Sequence, residues 1–166
     1  MNKKRITSKQ FQAMNKKKLS EDQEQEILCK WVKKTYPNVL FTVDLGGIRL
    51  NMGQRRIMKT RAKRGHPDLM FQEWFGDRFC GLAIEFKRTG ETVFKKDGTL
   101  KKDDHLKEQL EYLIELRNRY WLAVFVSGIE SAKIVIKAYL EANSNSIATI
   151  NQHASPKINL VTEKQN

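Results

Sequence analysis

One stretch of the chain alternates apolar and polar positions with a period of two. In residues 82–87 one face is wholly apolar, whereas the other carries Ala83, Glu85 and Lys87. Side chains of a strand point alternately to opposite faces, so this pattern predicts a strand with one face in the core. Short apolar runs bounded by turn residues predict further strands at 39–43, 68–73 and 121–126, and the strand at 82–87 is expected to begin at about residue 79.

Helical spacing separates these strands. Apolar residues recur every three or four positions at about 20–35, 106–117 and 129–142, and a weaker stripe predicts a further helix within 48–64. Asp97 and Gly98 lie between two short apolar pairs, which predicts a small hairpin at 91–102. This order of elements is typical of an α/β fold, in which a mixed sheet of about four strands is flanked by helices.

Two carboxylates and a lysine are the candidate chemical groups. Asp68 follows Pro67, and proline suits the first residue of a strand, so Asp68 is expected at a strand end facing a cleft. Glu85 and Lys87 share one face of a neighbouring strand. Carboxylates on adjacent strands are able to hold Mg²⁺, and a lysine beside them is able to stabilise charge on a phosphate. The simpler alternative is a turn acid and a surface salt bridge.

Three further polar residues lie near helix starts. Glu24 precedes Ile27, Leu28 and Trp31 at helical spacing and so shares their inward face, and Glu21 lies one turn earlier. For either acid, the alternative is a favourable interaction with the helix dipole. Gln109 faces inward near the start of the helix at 106–117 or is an ordinary surface residue.

Charge points to a polyanionic partner. The chain has 31 Lys and Arg against 19 Asp and Glu, a net charge of +12. Residues 1–19 form a basic arm without acids, and a second basic stretch leads directly to Asp68. Its cations are candidates for binding phosphate groups: Arg49, Arg55, Arg56, Lys59, Arg61, Lys63 and Arg64.

Other features restrict the class of protein. No apolar run approaches the roughly 20 residues of a membrane span, and the charged first residues do not resemble a signal peptide. Cys29 and Cys80 predict free thiols in a reducing cytoplasm rather than a disulfide framework. We expect residues 20–142 to form one domain and the polar residues 143–166 a disordered tail.

These motifs resemble a known family. Gly65-His66-Pro67-Asp68 and Ile84-Glu85-Phe86-Lys87 are similar to the PD-(D/E)xK nuclease motif, and more narrowly to its VRR-NUC branch, which is common in phages. The segment 20–25 ahead of Trp31 resembles that family's first helix, and Lys107-Glu108-Gln109 its glutamine-bearing helix. One departure is Asn118-Arg119-Tyr120, which stands where many relatives have a glycine-containing turn. The resemblance covers about residues 20–140.

The resemblance implies a metal-dependent DNA endonuclease in a bacterial or phage-infected cytoplasm. Asp68, Glu85 and the backbone carbonyl of Phe86 would hold Mg²⁺ or Mn²⁺, with Lys87 beside them. It favours Glu24 over Glu21 as a further metal-site acid, and Gln109 as the last site residue. Stand-alone members resemble structure-specific nucleases, including Holliday-junction resolvases that act as homodimers on branched DNA. Flap- or nick-directed cleavage and a non-catalytic DNA-binding or RNA-binding module are the alternatives.

Overall fold

The computed structural model describes residues 19–44, 52 and 64–157. The helices of this part are α1 (Glu21–Thr35), α2 (Asp104–Arg117), α3 (Ile129–Leu140) and α4 (Ser146–His153). The strands are β1 (Phe41–Val43), β2 (Leu69–Phe71), β3 (Gly81–Lys87), β4 (Trp121–Ser127) and β5 (Ala154–Ser155). The predicted α/β fold is confirmed, with one more strand in its mixed sheet than the four expected.

The strands follow one another across the sheet in the order β1-β2-β3-β4-β5. Only β3 and β4 run parallel among the described strands, because α2 crosses between them, whereas the other neighbours are antiparallel. The turn between β2 and β3 is closed by an isolated bridge from Phe75 to Phe79. The predicted antiparallel pairing of the two motif strands is therefore present.

Two apolar layers cover the sheet and leave β3 buried along its whole length. On one face, Ile84 and Phe86 pack in a core with α1, α3 and Ile150 of α4. On the other face, Ala83 packs with Phe125 of β4, with α2 and with the segment around Val93. Because Glu85 and Lys87 lie on this second face, they are enclosed between the sheet and α2 rather than exposed at a surface.

Helix α1 begins where the sequence signals it. Ser20 accepts from the backbone N–H of Gln23 at 3.2 Å, and the Gln23 side chain accepts from the Ser20 N–H at 3.0 Å, which makes a capping box. The buried stripe is Glu24, Leu28 and Val32, whereas Ile27 is 42% exposed. The prediction that Ile27 belongs to the apolar face was wrong. The buried residues of α1 are spaced by four positions, and Ile27 lies beside that stripe.

The polar C-terminal stretch is partly ordered, which corrects one expectation. Residues 146–155 were predicted to lie in a disordered tail, but they form α4 and β5, which pairs with β4. Ile150 is fully buried, Ala154 is 6% exposed and Ile147 packs against the same core, so apolar contacts dock this segment on α3 and β4. The hairpin at 91–102 is present as a turn with one bridge, from Phe94 to Leu100.

Several predictions concern residues outside the described ranges. The basic arm falls at 1–18, and all the basic candidates except Arg64 fall at 45–63. Arg64 is exposed and pairs with Glu108 of α2, Nη1 to Oε1 at 2.9 Å. No described helix has the length and apolar character that a membrane crossing needs.

Candidate active site

The two motif segments meet at the end of β2 and β3. Leu69 lies opposite Ile84 in the antiparallel register, so Asp68 stands just beyond the paired residues, next to the end of β3. Its Oδ2 accepts from the backbone N–H of Phe86 at 2.8 Å. Because the N–H and C=O of a strand residue point to the same edge, the Phe86 carbonyl also faces the Asp68 side. The strand-end position that Pro67 predicted is the position observed.

Glu85 lies at the centre of this group and is only 1% exposed. Its Oε1 accepts from Lys87 Nζ at 2.9 Å and also from Nε2 of Gln109. Its Oε2 is buried and has no hydrogen-bond partner among the described residues. A buried carboxylate oxygen without a partner is costly, so this atom is where the site has capacity for a further ligand.

Burial and mutual repulsion set the protonation of the two acids. Burial, together with the charge of Asp68, raises the pKa of Glu85 well above its ordinary value, although Lys87 opposes the shift. Burial also raises the pKa of Asp68, against the Phe86 N–H and Lys87. Both shifts disfavour the doubly ionised pair, and a divalent cation bound between the two carboxylates would favour it.

Lys87 stays charged in this setting. Burial disfavours its ammonium group, but the carboxylates of Glu85, Glu21 and Asp68 outweigh burial and raise the pKa of Lys87. The side chain is only 6% exposed and is directed toward Glu85 rather than toward bulk water. The site therefore combines a fixed positive charge with two carboxyl groups in a place of low water content.

Helix α2 supplies Gln109, as predicted from its position near the helix start. Gln109 is 5% exposed, and its Nε2 lies 3.1 Å from Nε2 of His105, one turn earlier on the same helix face. Its Oε1 is buried without a hydrogen-bond partner in the described part of the chain. His105 was missed at the sequence level, although its spacing of four from Gln109 was the available signal.

Helix α1 brings two acids toward the site in different ways. Glu24 is 5% exposed, and its Oε2 accepts from the backbone N–H of Thr89 at 2.8 Å. Glu21 is half-buried, and burial together with Asp68 raises its pKa while Lys87 and the Arg88 N–H lower it. Glu21 thus shares its electrostatic surroundings with Lys87 and Asp68, whereas Glu24 holds the backbone that follows β3.

The residues fit a hard divalent cation bound by few protein ligands. Asp68, the free Oε2 of Glu85 and the Phe86 carbonyl are oxygen donors, which Mg²⁺ and Mn²⁺ prefer. No group of three or more His, Cys, Asp or Glu side chains arranged for a metal occurs among the described residues. Mg²⁺ usually takes one or two carboxylates and keeps several waters.

Apart from its fifth strand, the mixed sheet with two carboxyls and a lysine at the ends of β2 and β3 is the arrangement that the PD-(D/E)xK resemblance implies. No protein family and no curated protein matched the sequence. A solved structure described as "VRR_NUC domain protein" superimposes with a TM-score of 0.57 at 23% sequence identity, covering 76% of this chain and 93% of that chain. The chain therefore has the fold of a VRR_NUC domain protein, which confirms the resemblance at the level of the fold. The phage-type detail stays a prediction.

Proposed function

We propose that the protein is a divalent-metal-dependent DNA endonuclease that hydrolyses phosphodiester bonds. The observation that carries this proposal is the unpartnered Glu85 Oε2, buried beside Asp68 and next to the ammonium of Lys87. Such an atom is unusual in a purely structural ion pair, because buried polar atoms in a stable core are ordinarily paired. The fold shared with a VRR_NUC domain protein and the net charge of +12 support a nucleic-acid substrate.

Each residue has a separate task in this proposal. Asp68, Glu85 and the Phe86 carbonyl would hold Mg²⁺ or Mn²⁺, which would supply an activated water and neutralise charge on the phosphate. Lys87 orients the attacking water and donates to the phosphate oxygen on which charge develops. Gln109 donates to Glu85 and fixes the orientation of its carboxylate. Glu21 and Glu24 complete the acidic side of the site from α1.

Single substitutions test these tasks. We expect Asp68→Ala and Glu85→Ala to abolish cleavage while DNA binding is retained, because binding rests mainly on cations elsewhere. Lys87→Ala should lower the cleavage rate by roughly 10²- to 10³-fold, the range for removing one charge-stabilising donor. Asp77→Ala, an exposed acid in the turn between β2 and β3, is the matched control and should cleave normally. Unchanged cleavage by the Glu85 and Lys87 variants would refute the mechanism.

The substrate we propose is branched DNA, with a Holliday junction first among the candidates. The support is the resemblance to stand-alone structure-specific nucleases. A four-way junction has two symmetric cut points, which suit a homodimer with a two-fold axis. Symmetric metal-dependent cuts in a labelled junction, lost in Glu85→Ala and absent with EDTA, would establish resolution. A monomeric mass by light scattering, also with DNA bound, would instead favour cleavage of flaps or nicked DNA.

A further inference from the structure

A groove of about 290 Å³ opens directly beside Lys87, on the same face of the sheet as Glu85. Its floor is made by β4 and β5, and its walls are the segment 91–94 and the C-terminal end of α4. The proposed cleavage mechanism uses none of these walls. At this volume the groove suits a single small group rather than a helix or a folded partner.

The strand registers show that the groove continues the candidate active site. Glu85 is paired with Phe125 and Lys87 with Ser127 across the parallel β3–β4 ladder, and Phe125 is paired with Ser155 of β5. These residues follow one another across one face of the sheet, about 4.8 Å per strand. A substrate group next to a phosphate at Lys87 therefore reaches the floor of the groove.

One wall is an aromatic ring held in place. Phe94 packs edge-on against Phe125 with ring centroids 6.1 Å apart, and it remains partly exposed to the groove. The hairpin that carries it is fixed by the Phe94–Leu100 bridge and by a bond of 2.7 Å from Lys101 Nζ to Thr92 Oγ1. The hairpin also presents exposed lysines at positions 95, 96 and 101.

Polar groups line the opposite side of the groove. His153 and Gln152 stand at the end of α4, and Ser155 is partly exposed on β5. An aromatic surface on one side, hydrogen-bonding groups on the other and the ammonium of Lys87 at the edge toward Glu85 together match the parts of a nucleotide. Aromatic side chains provide stacking platforms for bases, and cations follow the backbone.

We propose that this groove binds one unpaired nucleotide of the substrate strand, adjacent to the scissile phosphate, with its base against Phe94. The inference rests on the proposed nuclease function and specifies its substrate class. A base inside a continuous duplex is stacked and paired, so it does not enter such a groove without being extruded. The enzyme therefore cleaves next to a flap, gap, bulge or junction branch in preference to continuous duplex.

The test compares two substrates of the same sequence, one fully paired and one with an unpaired nucleotide beside the mapped cut. We expect Phe94→Ala to lower cleavage of the second substrate by roughly tenfold or more, since removal of one base–aromatic stack accounts for that decrease. Phe94→Tyr keeps an aromatic ring at this position and should cleave the second substrate at the wild-type rate. Ser155→Tyr fills the groove from its floor and should act as Phe94→Ala does. Trp74→Ala, an exposed aromatic on the turn after β2, is the control and should change nothing.

A binding readout separates this inference from the proposed function. 2-Aminopurine at the unpaired position should be quenched by the Glu85→Gln protein and less so when Phe94→Ala is added. If the base is quenched but the wild type cleaves no DNA with Mg²⁺ or Mn²⁺, the proposed nuclease function is refuted and nucleotide binding in the groove is retained. If the Phe94→Ala and Ser155→Tyr proteins both quench the base normally and still prefer the substrate with the unpaired nucleotide, nucleotide binding in the groove is refuted. The proposed nuclease function is then retained. Equal losses on both substrates would also overturn the inference.

Discussion

Glu85 combines two properties that oppose each other, because it is an acid and its side chain is almost completely removed from water. Burial and Asp68 raise its pKa well above the ordinary value of 4.5. A raised acid pKa means that the folded state binds the proton more tightly than the unfolded chain does. The associated stability is fully present below pH 4.5 and is lost as the pH rises through the raised folded value.

The pH dependence of metal-free protein therefore reports on Glu85. In EDTA, we expect the melting temperature to fall as the pH rises above 4.5, more steeply for the wild type than for Glu85→Gln. The amide of the variant is neutral throughout and its NH₂ is able to donate to Asp68. Mn²⁺ should raise the melting temperature of the wild type, and more so at high pH, but not that of the variant. Glu111→Gln on the exposed face of α2 should follow the wild type in both series.

The two acids of α1 differ in what their side chains contact. Glu24 is buried and accepts a hydrogen bond from the Thr89 N–H. Glu24→Ala leaves that donor unsatisfied and should destabilise the fold by about 1–3 kcal/mol. Glu21 faces the charges of Lys87 and Asp68, so Glu21→Gln should lower cleavage with little effect on stability. Denaturant unfolding and cleavage assays on the two variants check both statements. A selective loss of cleavage in Glu24→Gln with full stability would instead favour Glu24 as the metal-site acid.

At the scale of elements, the segment that leads to Asp68 approaches α2 closely at Gly65, next to the residue before Gln109. Gly65 has φ +79°, and a Cβ there would lie 2.5 Å from the backbone oxygen of Glu108, the residue before Gln109. That oxygen belongs to the helix backbone and is unable to rotate away. The glycine is therefore required both for its conformation and for the close approach that joins the two parts of the site.

A matched pair of glycine variants separates these two requirements. Gly98 has a nearly identical φ of +81°, but nothing lies within 4 Å of its hypothetical Cβ. Gly98→Ala should cost only the conformational penalty of about 1–2 kcal/mol. Gly65→Ala should cost clearly more in denaturant unfolding and should also lower cleavage, because it pushes the segment before Asp68 away from the α2 backbone beside Gln109. Equal costs would show that the close approach to α2 is unimportant.

The same scale shows what the sequence predicts well. The Glu85 and Lys87 strand and the strand-end Asp68 were predictable, because alternation and proline act through local geometry. The inward orientation of Gln109 was one of the two positions that helical spacing allowed. The helix α4 was not predictable, because its apolar content is slight and its burial depends on α3 and β4, which are distant in sequence. Contacts such as Glu24 with Thr89 depend in the same way on tertiary packing.

At the scale of the whole molecule, the net charge of +12 favours a polyanionic partner, and the number of phosphates that cations neutralise sets how binding depends on salt. Each phosphate neutralised by a cation releases counterions, so the logarithm of affinity falls linearly with the logarithm of salt concentration. The carboxylates of the candidate site do not supply this attraction. We assign it to the basic stretch before Asp68, where no acid offsets the cations.

Binding of DNA by the catalytically inactive Glu85→Gln protein tests this assignment between about 50 and 200 mM salt. Replacing Arg55 and Arg56 by Gln should weaken binding at every salt concentration and reduce the slope by about 0.9 for each phosphate that is no longer neutralised. Lys30→Gln with Lys137→Gln removes the same charge from exposed positions on α1 and α3, where each lysine has a neighbouring glutamate. That control should leave the slope unchanged, because long-range charge alone is screened within a Debye length of about 8 Å. If both pairs changed the slope equally, overall charge rather than the basic stretch would determine binding.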